Sequence, residues 1–235
     1  MAAAATARIE PQDAPVPEDL QARIRALERT RLTERTLPTA PALASLLPGG
    51  ALKEGAIYSV SGSLSLATAL MAQASAAGLW CAVVGVPEFG AEAAAVAGME
   101  LERLVLIPHP GDQWIRVTAA LVDVVGLVLT RPTLSKNDAA TSRLAARLRQ
   151  RGVTMITIGD WPGSEASLSV TESAWQGLET GHGLLHQRRA TVASQWRGLR
   201  THTAELWLPD ARGQVAEVAA ESVIAAIPLR RAVGQ

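Results

Sequence analysis

Along the middle of the chain, apolar residues gather into short, nearly continuous runs, and the stretches between them carry helical spacing. GAIYSVSG (55–62), WCAVVGVP (80–87), ERLVLIPHP (102–110), VGLVLTRP (125–132) and VTMITIGDWPG (153–163) each read as a strand running into a turn. Between them, SLATALMAQASAAG, EAAAVAG, DQWIRVTAALVD and NDAATSRLAARLRQRG read as helices, the last with an Asn/Asp start and a glycine stop. This alternation implies right-handed crossovers and a mostly parallel sheet with helices on both faces. Strands covered on both faces are apolar at nearly every position, as these runs are. After Gly163 the rhythm changes: SLSVTESAWQGL, GLLHQRRATVASQWRG and TAELWLPD look like strands joined by turns, which predicts an antiparallel extension at one sheet edge.

The ends read differently. Residues 1–16 are Ala- and Pro-rich and are expected to be disordered. PEDLQARIRALERTRL then predicts a helix, with Pro17 suited to its first turn and Glu18 and Asp19 to the positive end of its dipole. Leu20, Ile24 and Leu27 lie on one face at i, i+4, i+7 spacing, ringed by arginines. Three turns cannot bury that stripe alone, so the helix docks either on its own core or on a neighbouring molecule. TLPTAPALASLLPGG (36–50) reads as a Pro-punctuated linker. The expected organisation is therefore tail, helix and linker over 1–46, a core over 47–210, and a helix or tail over 211–235.

Composition adds limits. The chain has 235 residues, 48% of them hydrophobic, enough for one α/β domain with appendages. Lys plus Arg and Asp plus Glu both number 22, so there is no global electrostatic footprint for nucleic acid, and any DNA contact is expected to be weak or indirect. The single cysteine, Cys81, sits in an apolar strand and fits a core residue in a reducing cytosol. No apolar run approaches the roughly 20 residues that span a bilayer, and the N-terminus does not read as a secretory signal, so a cytoplasmic location without membrane contact is expected.

The first strand–turn–helix is the informative place. A phosphate-binding loop uses glycines to wrap backbone N–H groups around phosphates, a lysine to reach the β/γ-phosphates and a Ser/Thr hydroxyl for magnesium. Here Gly62 opens the turn and Thr68 lies near the hydroxyl position, but Leu66 and Ala67 stand where the second glycine and the lysine belong. No bound cofactor or metal and no nucleotide hydrolysis are expected from this turn.

The order of motifs from Leu47 to Asp160 resembles the RecA recombinase core. LPGGALKEGAIYSVSG is similar to the stretch leading into its phosphate-loop strand. GLWCAVVGVPEFGAEAAAVAGMELERLVLIPHPGDQW is similar over its whole run, with His109-Pro110 at the place of a Gln-Pro-like dipeptide. The resemblance implies a RecA-like α/β fold: a mostly parallel twisted sheet flanked by helices, with an antiparallel C-terminal edge and an N-terminal helix. It also implies that catalytic positions have been lost. The expected glutamate after the second strand falls at Pro87, with Glu88 one position off. The magnesium-holding acid after VGLVL is Thr130 or Arg131, with Asp123 too early to substitute. The polar sensor of the fifth strand is Gly159-Asp160, and the segments matching the DNA-binding loops, RPTLSKND and DWPGSEAS, are short. Together with GHGLLHQRRATVASQWRGLRTHTAELWLPD, this pattern is similar to the ImuA family, and to its ImuA-prime form, among bacterial mutasome accessories. That resemblance implies a non-catalytic adaptor in SOS mutagenesis and translesion synthesis. Its implied partners are ImuB, an inactive Y-family polymerase relative, and indirectly an error-prone C-family DNA polymerase. RecA itself and a second copy of the chain, met through the N-terminal helix, are further partners it brings in. Two other functions stay open: a SulA-like cell-division inhibitor that binds a tubulin-like filament protein, and a cryptic nucleotide or single-strand DNA binder.

Several residues are candidates for contacts. Arg143, Arg147 and Arg151 form one helical stripe, either a solvated face or a partner contact. Arg188 and Arg189 cluster with Trp175, Trp196 and Trp207, a pairing suited to a protein hot spot or to base stacking. Trp161, in Asp-Trp-Pro-Gly, is the tryptophan expected to be exposed. His182 and His186 have a metal-ligand spacing only on a helix, and Gly181 and Gly183 argue for turn and strand. His109, between prolines at a strand end, has no acid or nucleophile near it in sequence and reads as structural.

Overall fold

The computed structural model describes residues 35–132, 138–179, 182–196 and 200–218. The predicted N-terminal helix, with Leu20, Ile24 and Leu27, lies outside these residues. The chain divides into two units, Met1–Arg35 and Thr36–Gln235, and the elements below belong to the second.

Eleven strands are described: β1 (Thr36–Leu37), β2 (Leu52–Lys53), β3 (Ile57–Ser61), β4 (Cys81–Val84), β5 (Leu104–Ile107), β6 (Leu127–Thr130), β7 (Thr154–Ile158), β8 (Ala166–Glu179), β9 (His182–Trp196), β10 (Thr201–Trp207) and β11 (Ala216–Glu217). The helices are α1 (Leu64–Ala76), α2 (Ala91–Val96), α3 (Trp114–Leu121) and α4 (Asp138–Arg151). Nine of these strands form one sheet in the order β11-β10-β9-β8-β3-β7-β6-β4-β5. The rungs from β8 through β3, β7, β6 and β4 to β5 are parallel, and β8, β9, β10 and β11 pair antiparallel. The predicted mixed sheet, mainly parallel with an antiparallel C-terminal edge, is the observed one.

Alternation along the central strands divides the core. Cys81 and Val83 of β4 face one cluster, with Leu66, Leu70 and Met71 of α1, while Ala82 and Val84 face the other, with Trp114, Leu144 and Leu148 of α3 and α4. Burying an aliphatic side chain of this size contributes about 1.5–3 kcal/mol, so positions apolar on both faces make β3, β4, β6 and β7 the anchor of the sheet. Helix α1 is buried continuously from Leu66 to Ala72, as expected of a helix apolar all round.

The segment 36–50, read from sequence as a linker, is a packed element instead. Pro41 and Pro48 each open a short 3₁₀ turn, and Leu43, Leu46 and Leu47 are buried in the α1-side core. Trp196 Nε1 donates to the Leu46 carbonyl at 3.0 Å, tying this segment to β9. At the other end the sheet runs past Asp210 into β11, which pairs Leu206 with Glu217 and Trp207 with Ala216. The stretch after Val218 lies outside the described residues.

Candidate functional site

In an open parallel sheet, ligands are held beyond the C-terminal ends of the strands. Here those ends are Ser61, Val84, Ile107, Thr130 and Ile158. Only Gly62 and Ser63 separate β3 from α1. Gly62 takes φ 75°, the left-handed conformation that favours glycine, and Ser63 caps the helix, its Oγ accepting from Leu66 N at 3.2 Å. The helix thus starts at once, leaving no room for a phosphate nest. Leu66 and Ala67, at the positions of the second glycine and lysine, are 0% exposed inside the core. Thr68 Oγ1 donates back to the Leu64 carbonyl at 3.0 Å, so its hydroxyl is engaged within the helix. These residues do not fit a nucleotide phosphate.

Beyond β4 and at the end of β6, protein groups answer one another. Glu88, one position off the expected catalytic glutamate, and Arg131, one of the two residues at the place of the expected magnesium-binding acid, pair with each other. The hydrogen bond from Arg131 holds the Glu88 carboxyl below its usual range. Thr130 is fully buried, and its Oγ1 accepts from Trp114 Nε1 at 2.6 Å. Gly85 lets the chain pass closely here: a Cβ at this position would lie 3.0 Å from the Arg131 carbonyl oxygen.

Trp161 corrects the sequence expectation. It is 7% exposed, and its ring packs on Trp114 at 6.3 Å between centroids. Its backbone N–H donates to Ser59 Oγ at 3.0 Å, and Ser59 Oγ in turn lies 2.5 Å from Ser164 Oγ. The turn DWPG lies at the surface, but its indole points inward.

The arginines part company. Arg147 and Arg151 both pair with Asp123, which sits two residues after α3, so two members of the α4 stripe fasten neighbouring helices. Arg147 holds the Asp123 carboxyl low. Arg143 remains exposed beside a cleft of about 210 Å³ between α3 and α4. Arg189 bonds Glu205 across the β9–β10 ladder. Arg188, its sequence neighbour on the other face, donates from Nε to the Leu208 carbonyl at 2.7 Å and from Nη2 to Ser63 Oγ at 3.3 Å. Its guanidinium lies 5.6 Å from the centroid of the Trp175 ring, and no carboxylate pairs with it among the described residues. Burial pushes its pKa down from the usual arginine value.

Sequence reasoning missed an apolar cavity. About 410 Å³ opens between α1, α2 and the turn 208–215, lined by Leu64, Thr68, Ala93, Val96, Leu208 and Val215 among others. The available signal was weak: exposed alanines and a valine in EAAAVAG on a helix too short to show a clear stripe. His186 lies on β9, and among the described residues no three His, Cys, Asp or Glu side chains gather as a metal site would require.

The same strand-and-helix core is found in known proteins. The model of the family described as MT3502 N-terminal domain matches residues 45–163, half of the chain. The chain belongs to that family. The matched stretch holds β2 to β7 and all four helices and stops before β8. The chain is also 38% identical over 128 residues to the uncharacterized protein Rv3395c of Mycobacterium tuberculosis. That match takes in 53% of this chain and 63% of that protein, less than two thirds of its length. Among solved structures, the KaiC-like protein PH0186 of Pyrococcus horikoshii superposes with a TM-score of 0.51 over 79% of this chain and 99% of that one. At 16% identity the likeness is one of fold, and it supports the RecA-like assignment. No helix among the described residues is long and apolar enough to cross a membrane.

Proposed function

We propose that this chain is a non-catalytic RecA-like adaptor of the bacterial SOS mutasome. In this role it binds an ImuB-type inactive Y-family polymerase and, through it, supports an error-prone C-family polymerase in translesion synthesis. The observation that carries the non-catalytic part is the buried turn: Leu66 and Ala67 occupy the core where a phosphate loop presents glycine and lysine. The Glu88–Arg131 pair and the Trp114–Thr130 hydrogen bond support it at two further strand ends. The assignment to the mutasome is supported by the ImuA resemblance of the whole pattern, including the Arg- and Trp-rich β9–β10 segment. Contacts are proposed for the helix expected from sequence over 17–31, with Leu20, Ile24 and Leu27, toward a second copy, RecA or the polymerase relative. Arg143 and the β8–β9 ribbon are assigned to the polymerase relative. The adaptor works in the cytoplasm, at the nucleoid when engaged, and meets DNA through its partners.

Two measurements test the reading. Purified chain and purified ImuB-type partner should elute together in size-exclusion chromatography, and failure to co-elute across micromolar concentrations overturns the adaptor role. Equilibrium dialysis with ATP and magnesium should show no retention by the chain. Micromolar, magnesium-dependent binding would instead support the nucleotide-binder reading.

A further inference from the structure

The apolar cavity and the Arg188–Trp175 pair are neighbours. Arg188 bridges them: it bonds the carbonyl of Leu208, which lines the cavity, and the hydroxyl of Ser63, which precedes the lining residue Leu64. Trp175 lies opposite Arg188 in the β8–β9 register, and its ring, 49% exposed, carries the guanidinium on its face. Further along β9, where its register with β8 shifts beside Gly177, Leu184 is 84% exposed and His186 is exposed as well. Gly177 makes room there, since a Cβ at that position would collide with His186 Nδ1. The result is an apolar trough with a tryptophan–arginine rim.

Charge selects the occupant. Among the described residues Glu88 is the only carboxylate lining the trough, and Arg131 already answers it. Arg188 is half-buried, retains N–H groups beyond the two it uses, and meets no carboxylate among the described residues. A partly desolvated guanidinium without an acid is costly, and a carboxylate placed on it forms a charge-assisted pair in low dielectric. A volume of about 410 Å³ falls within the range of roughly 300–1,000 Å³ found for binding clefts, and Trp and Arg are the residues that dominate interface energetics.

We infer that this trough binds a segment of the partner protein in which large apolar residues flank an aspartate or glutamate. The apolar side chains enter between α1 and α2, and the carboxylate meets Arg188 beside Trp175. This rests on the adaptor reading for the partner's identity, but the surface and its chemistry do not.

The test uses the full chain and two labelled 15-residue helical peptides with leucines at i, i+3, i+4 and i+7. One carries glutamates beside the leucines, the other lysines. Fluorescence anisotropy should show the acidic peptide bound at least about tenfold more tightly than the basic one, the factor that about 1.4 kcal/mol represents. Ala93→Glu and Trp175→Ala change exposed positions, so the fold is retained, and each should weaken the acidic peptide by about tenfold or more. Equal binding of the two peptides, or indifference to both substitutions, overturns the inference. Displacement of the peptide by inorganic phosphate at constant ionic strength reassigns Arg188 to a phosphate anion and overturns it too. So does a native dimer, seen by sedimentation, that Ala93→Glu dissociates, because a second copy then fills the trough. Co-elution of the same variants with the ImuB-type partner separates the two claims. If the partner is retained by both variants, the trough is not its site and the adaptor reading survives. If the native chain binds the acidic peptide in the trough but not that partner, the adaptor reading fails and the trough stands.

Discussion

The two halves of the sheet use the same amino acids for opposite ends. In the parallel half, β3 to β7, the groups beyond the C-terminal strand ends turn inward: Trp114 and Trp161 pack together, and Thr130 is capped by an indole, while Trp80, at the opposite end of β4, stays half exposed. In the antiparallel half, β8 to β11, Trp175, Leu184 and Leu185 face solvent, and Arg188 lacks an acid partner among the described residues. The family match covers the first half and stops before the second. The difference teaches where to look for each property: the parallel half carries the fold, and the antiparallel half presents the groups suited to recognition.

The contrast yields predictions of decreasing size. The largest concerns Ala67→Lys, which returns a lysine to the turn. In a RecA-like domain with an open loop it would restore phosphate binding. Here it forces a charge into a fully buried position, and loss of the cooperative thermal transition is expected, with no gain of ATP binding by dialysis. A folded variant that binds ATP with magnesium would break the comparison. Next, Trp114→Ala removes a buried indole and strands the Thr130 hydroxyl, so denaturant melts should show a loss of about 3–5 kcal/mol. Trp175→Ala, in the other half, should change stability by about 0.5 kcal/mol or less, because its ring is half exposed. A large loss at Trp175 would show the ribbon to be structural.

The smallest effect is a pH dependence. Arg131 depresses the Glu88 pKa in the folded state, so the folded chain holds its carboxylate proton less tightly than the unfolded chain. The pair's contribution is therefore complete above the ordinary glutamate pKa and fades as pH falls through the lowered value. Thermal melts of Glu88→Gln and the native chain should differ slightly at neutral pH and converge in acid. The pair is exposed, so a wide gap between the two would be unexpected.

Much of the parallel half was legible from sequence because covered strands and helix ends write themselves locally: runs such as CAVV and LVLT, and the Asn/Asp start and glycine stop of NDAATSRLAARLRQRG, mark the elements and their order. What sequence hid was side-chain direction in irregular segments. Asp-Trp-Pro-Gly signals a turn, and turns lie at the surface, yet nothing local says that the Trp161 indole folds back onto Trp114. Segment 36–50 carries prolines that read as a linker, while Leu43, Leu46 and Leu47, spaced i, i+3, i+4, were the overlooked sign of a buried turn. Long-range pairs were equally silent. The arginines of α4 form a stripe by spacing, but only the fold brings Asp123 to Arg147 and Arg151, or Arg131 to Glu88.

The ribbon of β8 and β9 has a mechanical side. Main-chain bonds to β10 and the residues after it hold β9 as far as Arg188, whose N–H donates to the Pro209 carbonyl and whose carbonyl accepts from Leu208 N; Arg188 pairs with Trp175 on the other flank. Beyond that rung only β8 and β9 pair, among the described residues, as far as Glu179 and His182, a reach of about 13 Å at strand rise. A cantilever of that length magnifies small rotations at its root into displacements of its tip. The root is where Arg188 grips the Leu208 carbonyl and Ser63. Whatever seats itself against that arginine therefore also sets the bearing of the outer ribbon, Leu184 and Leu185 included.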